Sequence, residues 1–376
     1  MEIDVFELER IQSLYENKVD YNLTETGLHP YSLKELLTGT GDEVEELSNL
    51  RLGYGQTDGS PGLRETISRL YPGAGPSNIL VTNGSAEANF IALWSMLEPG
   101  DEMVLMLPNY MQVWGLARSF GITVKPFYLK EEVNWGPGLE QLKEQITSRT
   151  KLIVVCNPNN PTGAVLSEVE MRWIFKLAEQ VGAWIYADEI YRGAELDGKE
   201  TPSFFGYPDY DYHKVVVNGG LSKAYGLPGL RIGWLVGPHD TIAKGWAYHD
   251  YTTISTGILS QWIADKVLQP ERRLKVLNRN REMLRENIKV LQAWVDKHKG
   301  LFRFVPPRAG AMAFIRYDLE MNSRELATRL REEKSVFVMD GDCFGMDYYL
   351  RIGFGSEKEY LLAGLDRIDQ FLKSIT

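Results

Sequence analysis

Gly220-Leu221-Ser222-Lys223-Ala224-Tyr225-Gly226-Leu227-Pro228-Gly229-Leu230-Arg231-Ile232-Gly233 is the stretch whose reading decides the fold. An apolar run, Val215-Val216-Val217, precedes it, and Ile232 to Val236 forms a second one. An apolar run, a Gly/Pro-rich segment and another apolar run predict strand, tight loop, strand. The loop carries one lysine among small residues and an arginine eight positions later. A lysine in a nearly dry pocket is disfavoured as the ammonium and becomes an amine nucleophile toward a carbonyl. Arg231 beside it suits an anion.

Working outward, short apolar strands alternate with helical patterns from residue 79. Strands are expected at Ile79 to Thr82, Met103 to Leu107, Val124 to Tyr128, Lys151 to Cys156, Trp184 to Ala187, Val215 to Asn218 and Ile232 to Val236. Helices are expected at Ser85 to Leu97, Met111 to Phe120, Leu139 to Ile146 and Ser167 to Val181, the last with a Ser167/Glu170 capping box. This alternation predicts an α/β fold whose mostly parallel sheet lies between helices, with ligands beyond the carboxyl ends of the strands. Before it come a helical pattern at Val5 to Tyr15, a polar extended segment at Asp20 to Pro30, a short helix at Tyr31 to Leu37 and a glycine-rich loop at Arg51 to Gly62. Ser60-Pro61 reads as cap and first residue of a further helix, with Leu63 to Tyr71 its apolar face. After Gln269 the composition shifts. A long charged amphipathic helix, Glu271 to Lys297, leads to strands at Phe302 to Val305 and Ala311 to Ile315. Then come a helix at Ser323 to Lys334, strands near Val336 and Leu350, and a helix at Glu357 to Ile375. These predict an α+β unit.

The composition narrows the function. The chain has 376 residues, is 44% hydrophobic and 24% charged, and carries a formal net charge of -10. The acidic balance argues against non-specific binding to nucleic acid or to an anionic membrane. No apolar run reaches bilayer length, and the acidic start lacks a signal-peptide pattern. Two distant cysteines, Cys156 and Cys343, exclude a disulfide framework and fit a reducing cytoplasm. Five histidines show no ligand spacing, so no metal is expected.

Four loops after strands carry polar residues of a consistent kind. Thr82-Asn83-Gly84-Ser85-Ala86-Glu87 opens a helix whose first N–H groups form an anion site, although such Gly/Ser turns are common. Asn157-Pro158-Asn159-Asn160-Pro161-Thr162-Gly163 is either a rigid turn or a stiff frame for amide donors. In Ala187-Asp188-Glu189-Ile190-Tyr191 an acid ends an apolar strand, as a cap or as the partner of a buried cation. The fourth loop carries Lys223 and Arg231. An imine-forming lysine beside a phosphate-binding arginine is what pyridoxal phosphate (PLP) requires.

Ser222, Lys223, Gly226, Gly229, Arg231 and Gly233 stand at the spacing of the lysine-site signature of the class I/II (fold type I) PLP aminotransferases, which this stretch closely resembles. The other loops follow in family order, and the resemblance covers nearly the whole chain. It implies a large PLP-binding domain over 38–268 and a smaller α+β domain from 1–37 and 269–376. It implies that Lys223 forms the internal aldimine and moves the α-proton, and that Asp188 keeps the pyridine nitrogen protonated. Tyr191 and Asn160 match the pair on the phenolic oxygen; Tyr110 and Ile190 match the residues on the two ring faces. Gly84, Ser85, Ala86 and Arg231 match the phosphate cup. Tyr54 matches the tyrosine that reaches the neighbouring site of a homodimer, and Arg351 the arginine that forks onto the substrate α-carboxylate. The segment Leu23 to Pro30, with Gly27, matches the one that lies over the substrate. The implied activity is transfer of an amino group between an α-amino acid and a 2-oxo acid.

The sequence also departs from the family pattern. Leu23 to Pro30 lacks the usual Glu-Pro-Asp flavour. Gly220 replaces the serine often found three residues before the lysine, which predicts the loss of one phosphate hydroxyl. Leu221 to Trp234 together with His249 to Thr256 also resembles the capreomycidine synthase branch of the fold type. That likeness keeps elimination, cyclisation or Cβ/Cγ substitution open as alternatives. A PLP-sensing transcriptional regulator is disfavoured, because the aminotransferase pattern begins too early for a preceding helix-turn-helix. Candidate recognisers of the substrate side chain are Tyr15, Tyr21, Thr26, His29, Asn109, Tyr110 and, across an interface, Tyr251 and Ser255.

Overall fold

A computed structural model describes residues 3–37, 41–207 and 210–375. The chain begins with α1 (Glu7–Tyr15), β1 (Tyr21–Asn22), α2 (Leu33–Leu36), α3 (Gly41–Ser48) and α4 (Pro61–Ser68). The alternating region holds β2 (Ile79–Asn83), α5 (Ser85–Met96), β3 (Glu102–Leu107), α6 (Gln112–Ser119), β4 (Thr123–Lys130), β5 (Gly136–Pro137), α7 (Leu139–Gln145) and β6 (Thr150–Cys156). It continues with α8 (Glu168–Val181), β7 (Trp184–Asp188), β8 (Val215–Gly220) and β9 (Ile232–Val236), followed by α9 (His239–His249) and α10 (Ile258–Leu268). The rest is α11 (Pro270–Lys297), β10 (Phe302–Phe304), β11 (Met312–Tyr317), α12 (Ser323–Lys334), β12 (Val336–Phe337), β13 (Met339–Asp340), β14 (Tyr349–Gly353) and α13 (Lys358–Ile375).

Eight strands form one sheet in the order β2-β9-β8-β7-β6-β3-β4-β5. The pairs from β8 through β4 are parallel, whereas β9 runs against both of its neighbours and β5 against β4. Strands β3 and β8 are buried along their whole length, because helices cover both faces. That explains why they read as continuous apolar runs rather than alternating ones. A four-stranded antiparallel sheet, β10-β11-β14-β13, lies beyond α11. The N-terminal β1 pairs with β12, Tyr21 opposite Val336, so the start of the chain is bound to its C-terminal part. The expected domain boundary at residue 38 lies outside the described residues.

Two local expectations need correction. Ser60 occupies the cap position before Pro61, but its hydroxyl makes no cap bond; its backbone N–H donates to Gln261 Oε1 at 2.7 Å. Helices α3, α9 and α10 were not expected. In α10 apolar residues lie nearly all round the helix, which removes the one-sided pattern that marks a half-exposed helix. The Ser167/Glu170 capping box is present.

Helix α11 ties the site's two halves together. Its buried face runs through Val276, Asn280, Leu284, Asn287 and Leu291 at helical spacing. Asn280 Nδ2 donates to the Ala224 carbonyl at 2.9 Å, next to Lys223. Two turns further along the same face, Asn287 Nδ2 donates to the carbonyls of Phe354 at 2.8 Å and Ser356 at 2.7 Å, just past β14.

Candidate active site

The carboxyl ends of β6, β7 and β8 stand side by side, with Asp188 in register with Cys156 and Asn218. Above them is a cavity of about 290 Å³. Lys223, Asp188, Tyr191, Asn160, Ile190, Tyr110, Ser85, Ala86, Arg231 and Arg351 all line it. Residues as far apart in sequence as Ser85 and Arg351 therefore meet. A larger cavity, about 600 Å³, lies beside the N-terminal arm among Phe6, Leu107, Trp114 and Phe344. Its lining includes no lysine, arginine or histidine, so it lacks the acid–base set found at the strand ends.

Arg231 ends the lysine loop in the left-handed region, φ 51°. Its Nη1 donates to Ser222 Oγ at 3.3 Å and to the Pro228 carbonyl at 3.2 Å. The guanidinium lies against Gly84, the cap of α5, where a Cβ would stand 2.2 Å from Nη2. Gly84 offers no side-chain cap, so the helix start presents its N–H groups beside a guanidinium. Such an arrangement suits an anion. Gly220, at the end of β8, faces Ile190: a Cβ there would stand 2.8 Å from Ile190 Cδ1 and 3.0 Å from the Ile232 carbonyl oxygen. A serine at this position would need Ile190 to shift, because its side chain occupies that space.

Asp188 is 7% exposed and has no ion-pair partner among the described residues. Burial pushes its carboxyl up to about 6, against the Ile190 N–H and the Asn89 amide, which favour the charged form. Asn89 is itself held by Tyr186, whose hydroxyl donates to Asn89 Oδ1 at 2.6 Å, and by Asn218 Nδ2 at 3.1 Å. A buried carboxylate braced in this way is poised for a cationic partner. The Tyr191 hydroxyl donates to Thr26 Oγ1 at 2.8 Å, and burial holds its pKa above the usual range. Asn160 Oδ1 accepts from Arg351 Nη1 at 3.0 Å. Arg351 Nη2 donates to the Thr24 carbonyl at 3.0 Å, and Nε has no partner. At 2% exposure, that leaves a guanidinium edge with unused hydrogen-bonding capacity at the cavity wall.

Lys223 differs from the expectation of a nearly dry lysine. Its side chain is 27% exposed, and its Nζ lies 3.8 Å from Glu25 Oε2. Gly27 passes close by: a Cβ there would stand 3.1 Å from the Ser222 carbonyl oxygen and 3.7 Å from Lys223 Cδ. The segment before it is pressed against β14, where a Cβ on Gly353 would stand 2.0 Å from the Glu25 carbonyl oxygen. The N-terminal segment thus forms a wall of the cavity. From it and α1 come three polar lining residues that sequence reasoning missed, Glu9, Gln12 and Glu25. No motif marks them; only the packing of α1 brings them in.

Among the candidate recognisers, Thr26 and Tyr110 line the cavity. Tyr15 instead lies under Arg331, Tyr21 packs on Tyr360, and the half-exposed His29 faces Glu357 at 3.6 Å. Asn109 is buried, with its Nδ2 spent on the Met106 carbonyl. Tyr54 is 93% exposed and Tyr251 83% exposed, both away from the cavity. Among the described residues, no group of three or more His, Cys, Asp and Glu could hold a metal, and no helix is long and apolar enough to cross a membrane.

The fold and site define a PLP-dependent enzyme of fold type I. The chain belongs to the aminotransferase class I and II family, whose model matches residues 32–368. It is 33% identical over 365 residues to capreomycidine synthase of Streptomyces vinaceus, covering 93% of this chain and 89% of that protein. Among solved structures, a PLP-dependent aminotransferase from Streptococcus suis superposes with a TM-score of 0.93 at 33% identity, covering 100% of this chain and 99% of the other. The PLP-dependent cyclase OrfR superposes with a TM-score of 0.90 at 25% identity, covering 100% of this chain and 99% of the other.

Proposed function

We propose that this enzyme transfers an amino group between an α-amino acid and a 2-oxo acid. The observation that carries this reading is the meeting of Lys223, Asp188, Arg231 and Arg351 around one cavity. The residues fit PLP: an anion site at Arg231 and the start of α5, and a buried carboxylate without a cation at Asp188. In this reading Gly84, Ser85, Ala86 and Arg231 bind the phosphate, Tyr110 and Ile190 cover the ring faces, and Tyr191 and Asn160 bind the phenolic oxygen. When bound, PLP supplies an electron sink for the pair left at the substrate α-carbon. Asp188 keeps the proton on the ring nitrogen. Arg351 orients the substrate through its α-carboxylate, and Lys223 carries the proton from and to the α-carbon. Gly27 and its neighbours exclude water above the substrate. The same reading divides the chain into a PLP-binding domain over 38–268 and a second domain from 1–37 and 269–376. Tyr54 belongs to a homodimer contact that reaches the neighbouring site.

A second reading keeps the cofactor and site but changes the outcome to elimination, cyclisation or Cβ/Cγ substitution. Two observations favour it: the likeness to a cyclase and to capreomycidine synthase, and the Glu25 carboxylate 3.8 Å from Lys223, where a second acid–base group could serve a leaving group. An absorbance titration of the holoenzyme with a panel of amino acids separates the two. Conversion to the amino form of the cofactor, reversed by a 2-oxo acid, supports transamination. Release of ammonia or a cyclised product without that form supports the second reading.

A further inference from the structure

An acid stands at the helix start that the phosphate reading uses. Glu87 is the third residue of α5, two positions after Ser85, at the end of the helix that Arg231 approaches. A free carboxylate there repels an incoming phosphate. Glu87 is not free: its side chain is 9% exposed and both oxygens are in use. Oε2 accepts from the Asn83 backbone N–H at 2.5 Å and lies 3.4 Å from His249 Nε2. Oε1 accepts from the Thr252 hydroxyl at 2.6 Å and the Thr253 hydroxyl at 2.8 Å. Burial pushes the Glu87 carboxyl up, but these four groups together outweigh it and hold the carboxyl at about 2. The bond to Asn83 reaches back across Gly84, as the glutamate of a capping box does, and Gly84, at φ 81°, has no side chain to share the task. Asn83 ends β2 and pairs with Ile232, the residue after Arg231. Glu87 therefore fixes the turn that aims the first N–H groups of α5 and seats Gly84 against the guanidinium.

Three of the four partners come from one loop. His249 ends α9, is wholly buried, and has its Nε2 3.0 Å from Thr253 Oγ1. Ile254 follows at φ 66°, with its N–H donating to the His249 carbonyl at 3.2 Å. A β-branched residue is strained in the left-handed region, and such strain persists only where the surroundings over-determine it. The Thr252 and Thr253 hydroxyls, both held on Glu87, supply that constraint.

We propose that Glu87 is a positioning residue of the cofactor-phosphate site, held by the 249–254 loop so that the turn at Asn83 and Gly84 presents its N–H groups to the phosphate. The proposal rests on the reading of Gly84, Ser85, Ala86 and Arg231 as the phosphate cup.

The test is equilibrium binding of PLP, and of pyridoxal, which lacks the phosphate, to the full chain freed of cofactor, followed by absorbance. The wild type is expected to bind PLP at least about a hundredfold more tightly than pyridoxal, as several hydrogen bonds to a charged group imply. In Glu87→Ala that ratio is expected to fall by about tenfold while pyridoxal binding stays within about twofold. Thr252→Val combined with Thr253→Val keeps the carboxylate and strips two of its donors; the ratio is expected to fall by at least about threefold. A ratio that rises in Glu87→Ala marks a carboxylate that only repels the phosphate, and overturns the proposal. So does an unchanged ratio, or an equal loss for PLP and pyridoxal, which is what a purely structural role gives. A fall in Glu87→Ala with none in the threonine variant overturns the part given to the loop. A wild type that binds PLP and pyridoxal alike overturns the phosphate reading and the proposal together. If Glu87→Ala does not fold, the threonine variant decides.

Discussion

Asp188 has one task in the cofactor-free chain and another in the enzyme, and the two conflict. Its carboxyl is pushed from 3.8 to about 6 by burial. Because the folded value lies above the unfolded one, its contribution to stability is complete below about pH 3.8 and is lost as pH rises through about 6. At neutral pH the cofactor-free protein therefore carries a cost on the order of 3 kcal/mol, at 1.36 kcal/mol per unit. Asp188→Asn is expected to stabilise the cofactor-free protein by roughly 1–3 kcal/mol at about pH 7, and hardly at all at about pH 4. Urea unfolding at the two pH values checks this. In the proposed reading the same substitution should abolish most turnover, since a neutral amide cannot hold the ring nitrogen protonated. In the proposed reading Lys223→Ala removes both the covalent attachment and the proton carrier; a loss of at least about 10²-fold in turnover is expected. Activity within about tenfold of wild type would sink the lysine assignment. Both residues were legible as strand-end polar groups, whereas Glu9 and Glu25 belong to no motif.

Strands β8 and β9 set the site by how closely they let the chain approach. A Cβ on Gly220 would stand 2.8 Å from Ile190 Cδ1, and a Cβ on Gly233 would stand 2.5 Å from Gly84 C and Ser85 N. These glycines seat β9 against the start of α5 and so bring Arg231 over Gly84. Gly220→Ser, which restores the hydroxyl of the usual pattern, is expected to destabilise the protein by about 1–3 kcal/mol and to weaken PLP binding, because Ile190 must move. Thermal unfolding and a PLP titration of the variant test this; tighter PLP binding would show that the pocket yields. The glycines could be read as a tight loop, but not what they touch. Capping signals were equally uneven: Ser167 and Glu170 act locally and were legible, while the Ser60 backbone bonds to Gln261, about two hundred residues away.

At the scale of the molecule, the homodimer reading needs a surface for a second copy. Leu52 is 75% exposed, Tyr54 93% and Tyr251 83%, in loops flanking α4 and α10. In the homodimer reading Tyr54 donates to the partner's cofactor phosphate. Tyr54→Phe should then weaken PLP binding by about tenfold, the worth of one hydrogen bond to a charged group, while the dimer persists. Equilibrium PLP binding with sedimentation velocity checks both parts. A monomer with unchanged PLP affinity would remove the interface reading. Helix α11 plays the corresponding role within the chain, holding the Ala224 carbonyl with Asn280 and the chain past β14 with Asn287.

By itself the sequence determined the alternation of strands and helices, the strand-end loops, and the lysine, acid and arginines those loops carry. These depend on local pattern: apolar runs, turn residues and spacing within a few tens of residues. The tertiary structure alone decided that β9 runs against its neighbours, that Gly220 lies against Ile190, and that Lys223 faces a carboxylate rather than a dry wall. It also decided that α1 and the segment before Gly27 place Glu9, Gln12 and Glu25 in the cavity. Such contacts join residues that belong to different elements, and no local signal encodes them, because they arise from how the packed elements fill space together.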